Sequence, residues 1–157
     1  MAESGAVEAT DFATWVGPHV RVMGLVAARL APQERDDVVQ EALLDAWRHR
    51  ATYDPARGSA QAWLVAITAR RARRRRPGRT VALAAVPDVG VEDTVGDVDL
   101  RRAVERLPGR QRLAVELHYF VGLPVAACAE AMACSEGTVK STLSDARARL
   151  RKELGDA

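Results

Sequence analysis

The residues of this sequence best suited to a binding role lie between positions 36 and 47. Read as a helix, this segment has two faces, because its apolar and its polar residues each recur every three or four positions. The apolar face predicts core packing and consists of Val38, Val39, Ala42, Leu43, Ala46 and Trp47. The second face consists of Asp37, Gln40, Glu41, Leu44 and Asp45. Carboxylates repel the DNA backbone, so an acidic face around an outward Leu44 predicts a protein partner.

A run of arginines further along the chain predicts contact with nucleic acid. Residues 70–79 include seven arginines and no acidic residue. In residues 80–100 the charge reverses, with five acidic residues and no basic one. This second stretch also contains Pro87, Gly90 and Gly96 and has no sustained helical or strand period. It therefore predicts a flexible acidic linker over residues 77–99 between two domains, at residues 8–76 and 100–154.

Composition limits the class of protein. With 157 residues, 48% hydrophobic and 28% charged, the chain suits one or two small globular domains. No run of eighteen apolar residues and no apolar signal core are present, which predicts a soluble cytoplasmic protein. Cys128 and Cys134 are too few for a structural zinc site, so we expect two buried or half-buried thiols and no metal.

The first domain is expected to be entirely helical. Met23, Val26 and Leu30 continue a period of three and four after an interruption at Gly17 and Pro18. A loop rich in turn residues spans 52–59, and its last residue, Ser59, predicts an N-cap for the helix that leads into the arginines.

The second domain predicts a helix-turn-helix. Leu113, Leu117 and Phe120 are expected to line the core, and Pro124 opens a short helix that ends near residue 132. Ser135 predicts the N-cap of a longer helix, whose inward face starts at Val139. Short donors and acceptors near a helix N-terminus suit the major groove of DNA. The outward residues with this character are Thr138, Lys140, Ser141, Thr142, Ser144 and Arg149.

Four motifs in order resemble the extracytoplasmic-function (ECF) sigma factors, a group of the sigma-70 family. They are residues 36–41 (DDVVQE) with 46–47 (AW), 61–64 (QAWL) leading into arginines, 107–112 (LPGRQR) and 134–141 (CSEGTVKS). The last motif also occurs in response-regulator helices, but the four in this order across a linker are highly specific.

The resemblance implies a partner for each surface of the first domain. Core RNA polymerase would bind the acidic face through the clamp helices of its largest subunit. The loop and the arginine-rich helix would capture the melted minus-10 strand of promoter DNA, because strand capture needs rings for bases and cations for phosphates. The residues expected to do this are Tyr53, Trp63, Arg70, Arg71, Arg74 and Arg75. Core packing remains an alternative role for Trp63. Arg71 stands where asparagine is common in the family, so the base preference is open.

The resemblance also implies that the second domain binds the minus-35 element and the polymerase flap, and that an anti-sigma factor controls the chain. Thr142 and Asp145 stand where the family usually has basic residues, so we expect weak binding to free minus-35 DNA. Pro124 stands where a capping Ser or Thr is typical, and Ala133 where the turn usually has Gly.

Two other classes of function remain open from the residues alone. One is a helix-turn-helix regulator that does not join polymerase, and the other is an interaction protein whose acidic face binds another helical pair. An enzyme is not expected, because no phosphate loop, zinc-protease histidine pair or activated nucleophile is present. Neither a cofactor nor a small-molecule substrate is therefore predicted.

Overall fold

The computed structural model describes residues 9–75 and 98–155, and every regular element in these two stretches is a helix. The chain divides into two compact units, Met1–Arg76 and Pro77–Ala157. The predicted all-helical fold class is confirmed. The linker predicted over residues 77–99 lies outside the described residues as far as residue 97, and a helix begins at Val98. None of the helices in the described stretches combines the length and apolar character needed to cross a membrane.

Four α-helices build the described part of the first unit. They are α1 (Ala9–Val16), α2 (Val20–Leu30), α3 (Arg35–Arg48) and α4 (Ala60–Arg75). Short 3-10 turns at Gly17–His19 and Pro32–Glu34 separate the first three helices, because proline cannot donate the helical hydrogen bond. Helices α2, α3 and α4 pack on one another around Met23, Ala42 and Leu64, which are fully buried.

Helix α3 has the two faces that its sequence predicts. Val38, Ala42 and Ala46 are completely buried at the centre of the apolar face. The larger Leu43 and Trp47 pack at the edge of the same core. Since burial follows the helical period along α3, the polar residues between these positions must face outward.

Helix α4 begins where Ser59 caps it. The backbone N–H of Ala62 donates to Ser59 Oγ over 3.1 Å, which confirms the predicted N-cap. The one buried hydroxyl of this helix, on Thr68, donates to the Leu64 carbonyl over 2.8 Å, so its burial leaves no donor unsatisfied. The helix therefore packs its apolar face without a polar penalty, while Arg70 and Arg74 remain exposed.

Four more α-helices build the described part of the second unit. They are α5 (Val98–Glu105), α6 (Gly109–Val115), α7 (Val125–Met132) and α8 (Glu136–Gly155). Their core contains the apolar residues Val104, Leu107, Leu113, Leu117, Val139 and Leu143, each at most 3% exposed. Each such aliphatic side chain contributes about 1.5–3 kcal/mol on burial, so these contacts are what hold the short helices together.

A π-helical turn at Glu116–Phe120 follows α6 and corrects one prediction. The N–H of Val121 donates to the carbonyl five residues back, that of Glu116, over 2.9 Å. A π turn contains more residues than an α turn, so the residues after it rotate away from the preceding face. The prediction that Phe120 lines the core is therefore wrong: its side chain is 47% exposed, whereas Leu117 is fully buried.

The predicted helix-turn-helix is formed by α7 and α8. Ala133 lies between them in the left-handed region, with φ of 54°. The N–H of Thr138 donates to Ser135 Oγ over 3.1 Å, which confirms Ser135 as the cap of α8. Because an L side chain in the left-handed region costs about 1 kcal/mol, the turn is strained by having alanine there.

Candidate functional site

The outward face of α3 presents the five residues predicted to contact a protein. Asp37, Gln40 and Leu44 are exposed, and Leu44 has 47% of its surface accessible. Glu41 and Asp45 are half-buried because side chains of α4 lie against them. An apolar centre with polar residues around it is the usual composition of a modest protein interface.

Asp45 is paired with Arg71 of α4 in a two-pronged ion pair. The Arg71 Nη2 atom donates to Asp45 Oδ1 over 2.8 Å, and its Nε atom donates to the other carboxylate oxygen. The hydrogen bond from Arg71 holds the pKa of the Asp45 carboxyl below its ordinary value. The same bond raises the pKa of the Arg71 guanidinium, so both groups are fully charged at neutral pH.

Arg75, one helical turn further along α4, is paired in the same way with Glu41. Its Nε atom donates to Glu41 Oε2 over 3.2 Å, and its Nη2 atom donates to the other oxygen. Asp37 lies next to the same guanidinium, with 3.7 Å between its Oδ2 and the Arg75 Nη1. Hydrogen bonding to Arg75 lowers the pKa of the Glu41 carboxyl.

Together these residues form what we call the ion-pair ladder: Asp37, Glu41 and Asp45 on α3, with Arg71 and Arg75 on α4. Sequence reasoning assigned the acids to a protein and the arginines to DNA, and did not foresee that they face each other. The signal was present, because the acids and the arginines share a spacing of four residues. Two helices packed side by side align such rows, although the sequence alone does not give their register.

An aromatic cluster lies at the end of the first unit where the loop joins α4. The ring of Tyr53 is 5.3 Å from that of Trp15 and 5.4 Å from that of Trp63, centroid to centroid. Tyr53 donates its hydroxyl to the Gly58 carbonyl over 3.2 Å, which fixes the ring across its own loop. Trp63 also packs against the core of the first unit, as the alternative reading of its spacing predicted. Trp15 was not foreseen as part of this cluster.

A cleft of about 420 Å³ is lined by one member of this cluster, Trp63, and by arginines of α4. Its lining residues are Asp45, His49, Thr52, Trp63, Ile67, Arg70, Arg71 and Arg74. Trp63 and Ile67 give the cleft aromatic and apolar surface, and Arg70, Arg71 and Arg74 of the same helix give it guanidinium groups. Such a cleft suits an anionic ligand with a planar ring, since the ring can stack on Trp63 and the arginines accept the charge.

The N-terminal half of α8 presents the residues predicted to read duplex DNA. Thr138, Lys140, Ser141 and Ser144 are exposed, and Thr142 is half-buried. The hydroxyls of Ser141 and Thr142 donate to the Thr138 carbonyl over 3.0 and 2.7 Å. Each hydroxyl oxygen keeps the capacity to accept a further hydrogen bond, because it acts here only as a donor.

Arg149 is exposed but belongs to a different part of α8. It lies nine residues beyond Lys140, about 13 Å along the helix axis. With Arg106, Leu107, Lys152 and Glu153 it lines an open groove beside the end of α5. Three cations with one carboxylate give this groove a positive character, which suits a backbone phosphate better than a base edge.

The two cysteines are both free thiols, one buried and one half-buried, as predicted. Burial raises the pKa of the Cys128 thiol to about 11, so it is protonated and unreactive at neutral pH. Within residues 9–75 and 98–155, no group of three His, Cys, Asp or Glu side chains is arranged to hold a metal ion.

Comparison with protein families assigns both units. The family model described as Sigma-70 region 2 matches residues 19–80, and the model described as Sigma-70, region 4 matches residues 97–150. The first match contains α3, the loop and α4, and the second contains α5, α6, α7 and α8 as far as residue 150.

Curated relatives match most of the chain. The ECF RNA polymerase sigma factor SigK of Mycolicibacterium vanbaalenii is 34% identical over 152 residues, which covers 87% of this chain and 78% of the relative. The protein of the same name in Mycobacterium ulcerans is 35% identical over 151 residues, covering 85% and 80%. This chain therefore belongs to the sigma-70 family and is an alternative sigma factor of its ECF group.

Solved structures agree with the fold. The sigma factor RpoE of Bartonella quintana, in complex with the anti-sigma factor NepR, has a TM-score of 0.65 and 24% identity, covering 93% of this chain and 98% of that one. CnrH, in complex with the cytosolic domain of CnrY, has a TM-score of 0.61 and 22% identity, covering 96% and 93%. At these identities the likeness supports the helical architecture alone.

Proposed function

We propose that the acidic face of α3 binds the clamp helices of core RNA polymerase, and that the chain then directs the enzyme to its promoters in the cytoplasm. The carrying observation is Leu44, an exposed apolar residue among the carboxylates of a helix whose other face is fully packed. An exposed leucine among carboxylates and an amide has the composition of a small protein interface, with an apolar centre and a polar rim.

The cleft beside α4 is the proposed site for the melted minus-10 strand. Trp63 supplies aromatic surface inside the cleft, and Tyr53 lies against Trp63 just beside it. Arg70 and Arg74 line the same cleft and are exposed. Base stacking on an aromatic ring works only with unpaired bases, so this site would favour the opened strand over the duplex. Capture of that strand would stabilise the melted promoter.

The outward face of α8 is the proposed reader of the minus-35 duplex. Lys140 supplies the charge, and the hydroxyls around it supply short hydrogen-bonding groups. The half-buried Thr142 and the exposed Asp145 lie on the same helix and add no positive charge. We expect this unit alone to bind duplex weakly, so that tethering to a polymerase held by α3 raises its effective concentration. Contact of the second unit with the polymerase flap is part of the same proposal.

An anti-sigma factor is a further proposed partner. RpoE was solved in complex with the anti-sigma factor NepR, and CnrH was solved in complex with the cytosolic domain of CnrY. An inhibitor of this kind would need to cover the α3 face, because that face is the proposed attachment to polymerase. Competition between inhibitor and core enzyme for Leu44 would then set the activity of the chain.

Capture of core RNA polymerase by the immobilised chain tests the proposal. Leu44→Arg should weaken capture by about 30-fold or more, the loss typical of a residue at the centre of an interface. Val20→Arg is the matched control, because Val20 is also an exposed aliphatic residue of the first unit and lies on α2. Equal capture by both variants would contradict the α3 face as the attachment site. No capture by the folded native chain would favour a helix-turn-helix regulator that acts without polymerase.

A further inference from the structure

The ion-pair ladder uses groups that both proposed interfaces need. Three of the five residues proposed to contact polymerase are its acids, and two of the six proposed to contact the minus-10 strand are its arginines. In the chain alone, these groups satisfy one another across α3 and α4. A partner that binds the acids must therefore compete with the arginines, and a partner that binds the arginines must compete with the acids.

The geometry makes this competition direct. Arg71 directs its Nε and Nη2 atoms at one carboxylate, and Arg75 does the same with another. These two atoms form the edge with which a guanidinium grips a phosphate by two parallel hydrogen bonds. This edge cannot face a carboxylate and a phosphate at once, so phosphate binding by the Nε and Nη2 atoms of Arg71 or Arg75 requires that part of the ladder to open.

We propose that the ion-pair ladder is an electrostatic brake that couples the two faces of the first unit. While Glu41 and Asp45 hold the arginines, the chain alone binds single strands weakly. A cationic protein surface that takes up the acids releases Arg71 and Arg75 for phosphates. By linkage, a strand that takes up the arginines strengthens protein binding at the acids by the same factor. This inference rests on the proposed function for the identity of the two partners.

Salt dependence gives the brake a measurable signature. A phosphate neutralised by an arginine releases counterions, and for a single strand this contributes about 0.7 to the slope of log affinity against log salt. If the arginine must first break its ion pair with a carboxylate, the freed carboxylate binds a cation from solution. This uptake cancels much of the counterion release, so the slope becomes flatter. Removing the carboxylate charge should therefore restore the missing part of the slope.

The first experiment measures binding of a mixed-sequence single-stranded oligonucleotide to the full chain by fluorescence anisotropy, from about 50 to about 200 mM salt. Glu41→Gln should steepen the slope by about 0.7. The ratio of its affinity to that of the native chain should therefore change about threefold between the lowest and the highest salt concentration. Asp36→Asn is the matched control, since it removes one exposed acid of the same helix outside the ladder. Equal slopes for the two variants, or no measurable binding by native chain and Glu41→Gln alike, would overturn the proposal.

Asp45→Asn provides a second variant at the other rung. The Asp45 side chain is only 17% exposed, so folding of the Asp45→Asn chain must be checked by circular dichroism. The Glu41 side chain is 32% exposed, and Glu41→Gln keeps the test valid if Asp45→Asn unfolds. A folded Asp45→Asn chain should steepen the salt slope as Glu41→Gln does. If the folded Asp45→Asn chain has the same salt slope as the native chain, the ion pair between Asp45 and Arg71 is not part of the brake.

The second experiment tests the reverse direction with core RNA polymerase. Arg75→Gln frees Glu41 from its intramolecular partner and should tighten core binding by about two- to fivefold, the range measured for exposed ion pairs. Arg57→Gln, at a loop arginine that is 89% exposed and lies outside the ladder, is the control for net charge. Equal core affinity for the two variants would overturn the coupling.

The two proposals fail separately. If Leu44→Arg abolishes core capture but the salt slopes do not move, the brake is absent and the sigma function stands. If the folded chain ignores core polymerase while Glu41→Gln steepens the salt slope, the acidic face has another partner and the brake on nucleic acid stands.

Discussion

Helices α4 and α8 both carry residues proposed to touch DNA, yet they hold their polar groups in different ways. In α4, Arg71 and Arg75 are held by carboxylates from a neighbouring helix. In α8, the hydroxyls of Ser141 and Thr142 bond only backward to their own helix, and Lys140 is exposed. On the proposed function, the first unit would share its charges between two partners, whereas the second would present a weakly charged surface whose hydroxyls donate within their own helix.

The comparison is tested most strongly by removing an aromatic ring from the first unit. Tyr53→Ala should lower the affinity of the polymerase-bound chain for a single-stranded minus-10 oligonucleotide by about tenfold, because one stacked base contributes about 1–3 kcal/mol. Tyr53→Phe keeps the ring and loses only the hydrogen bond to Gly58, so it should retain most of the affinity. Anisotropy titration of both variants gives the ratio. If Tyr53→Phe loses as much affinity as Tyr53→Ala, binding depends on the loop conformation that the hydroxyl holds and not on the aromatic ring.

The second unit is expected to gain stability where its turn is strained. Ala133 has φ of 54°, a conformation that glycine adopts without a Cβ clash. Ala133→Gly should therefore raise the free energy of unfolding by about 1 kcal/mol, less the entropy that glycine adds to the unfolded chain. Urea denaturation followed by circular dichroism measures this. Gly122, with φ of 86°, offers the converse control, because Gly122→Ala should destabilise the same unit.

Adding a positive charge to α8 should make DNA binding by the second unit depend more strongly on salt. Thr142→Arg places a cation in the predicted DNA-facing row, and one added phosphate contact steepens the salt slope for duplex by about 0.9. Between about 50 and about 200 mM salt this corresponds to a change in relative affinity of about threefold. Titration of a minus-35 duplex is the measurement. An affinity gain without a change in slope would show that residue 142 does not reach the phosphates.

Acid should weaken the first unit through its ladder, and this is the smallest expected effect. The pKa of Asp45 is lowered in the folded chain, so its contribution to stability is fully present above the unfolded pKa of about 4. That contribution is lost as the pH falls below about 4, through the folded pKa. Asp45→Asn should therefore be less stable than the native chain at pH 7, by less than about 1 kcal/mol. The urea midpoints of the native and Asp45→Asn chains should converge as the pH falls. A difference between the midpoints that stays constant with pH would contradict the predicted direction of the effect.

The sequence predicted those features that depend on position along one helix. The buried and exposed faces of α3 follow from its period, and the caps at Ser59 and Ser135 follow from residue type and place. The motifs likewise predicted the family, because they lie in a fixed order along the chain.

The features that the sequence did not predict depend on contacts between distant segments or on backbone geometry. Arg71 and Asp45 are 26 residues apart, and Arg75 and Glu41 are 34 apart, so their pairing depends on how α3 and α4 pack. Trp15 joins Tyr53 for the same reason. Phe120 was misplaced because a π turn changes the helical period after it, which apolar spacing does not report.

Transcription of genomic DNA by core RNA polymerase with this chain is the most direct test of whether α3 docks an alternative sigma factor on the enzyme. Sequencing of the transcripts should reveal discrete start sites that core polymerase alone does not use. These starts should disappear with Leu44→Arg and persist with Val20→Arg. Start sites identical to those of core polymerase alone, made in the presence of a folded chain, would contradict the central claim.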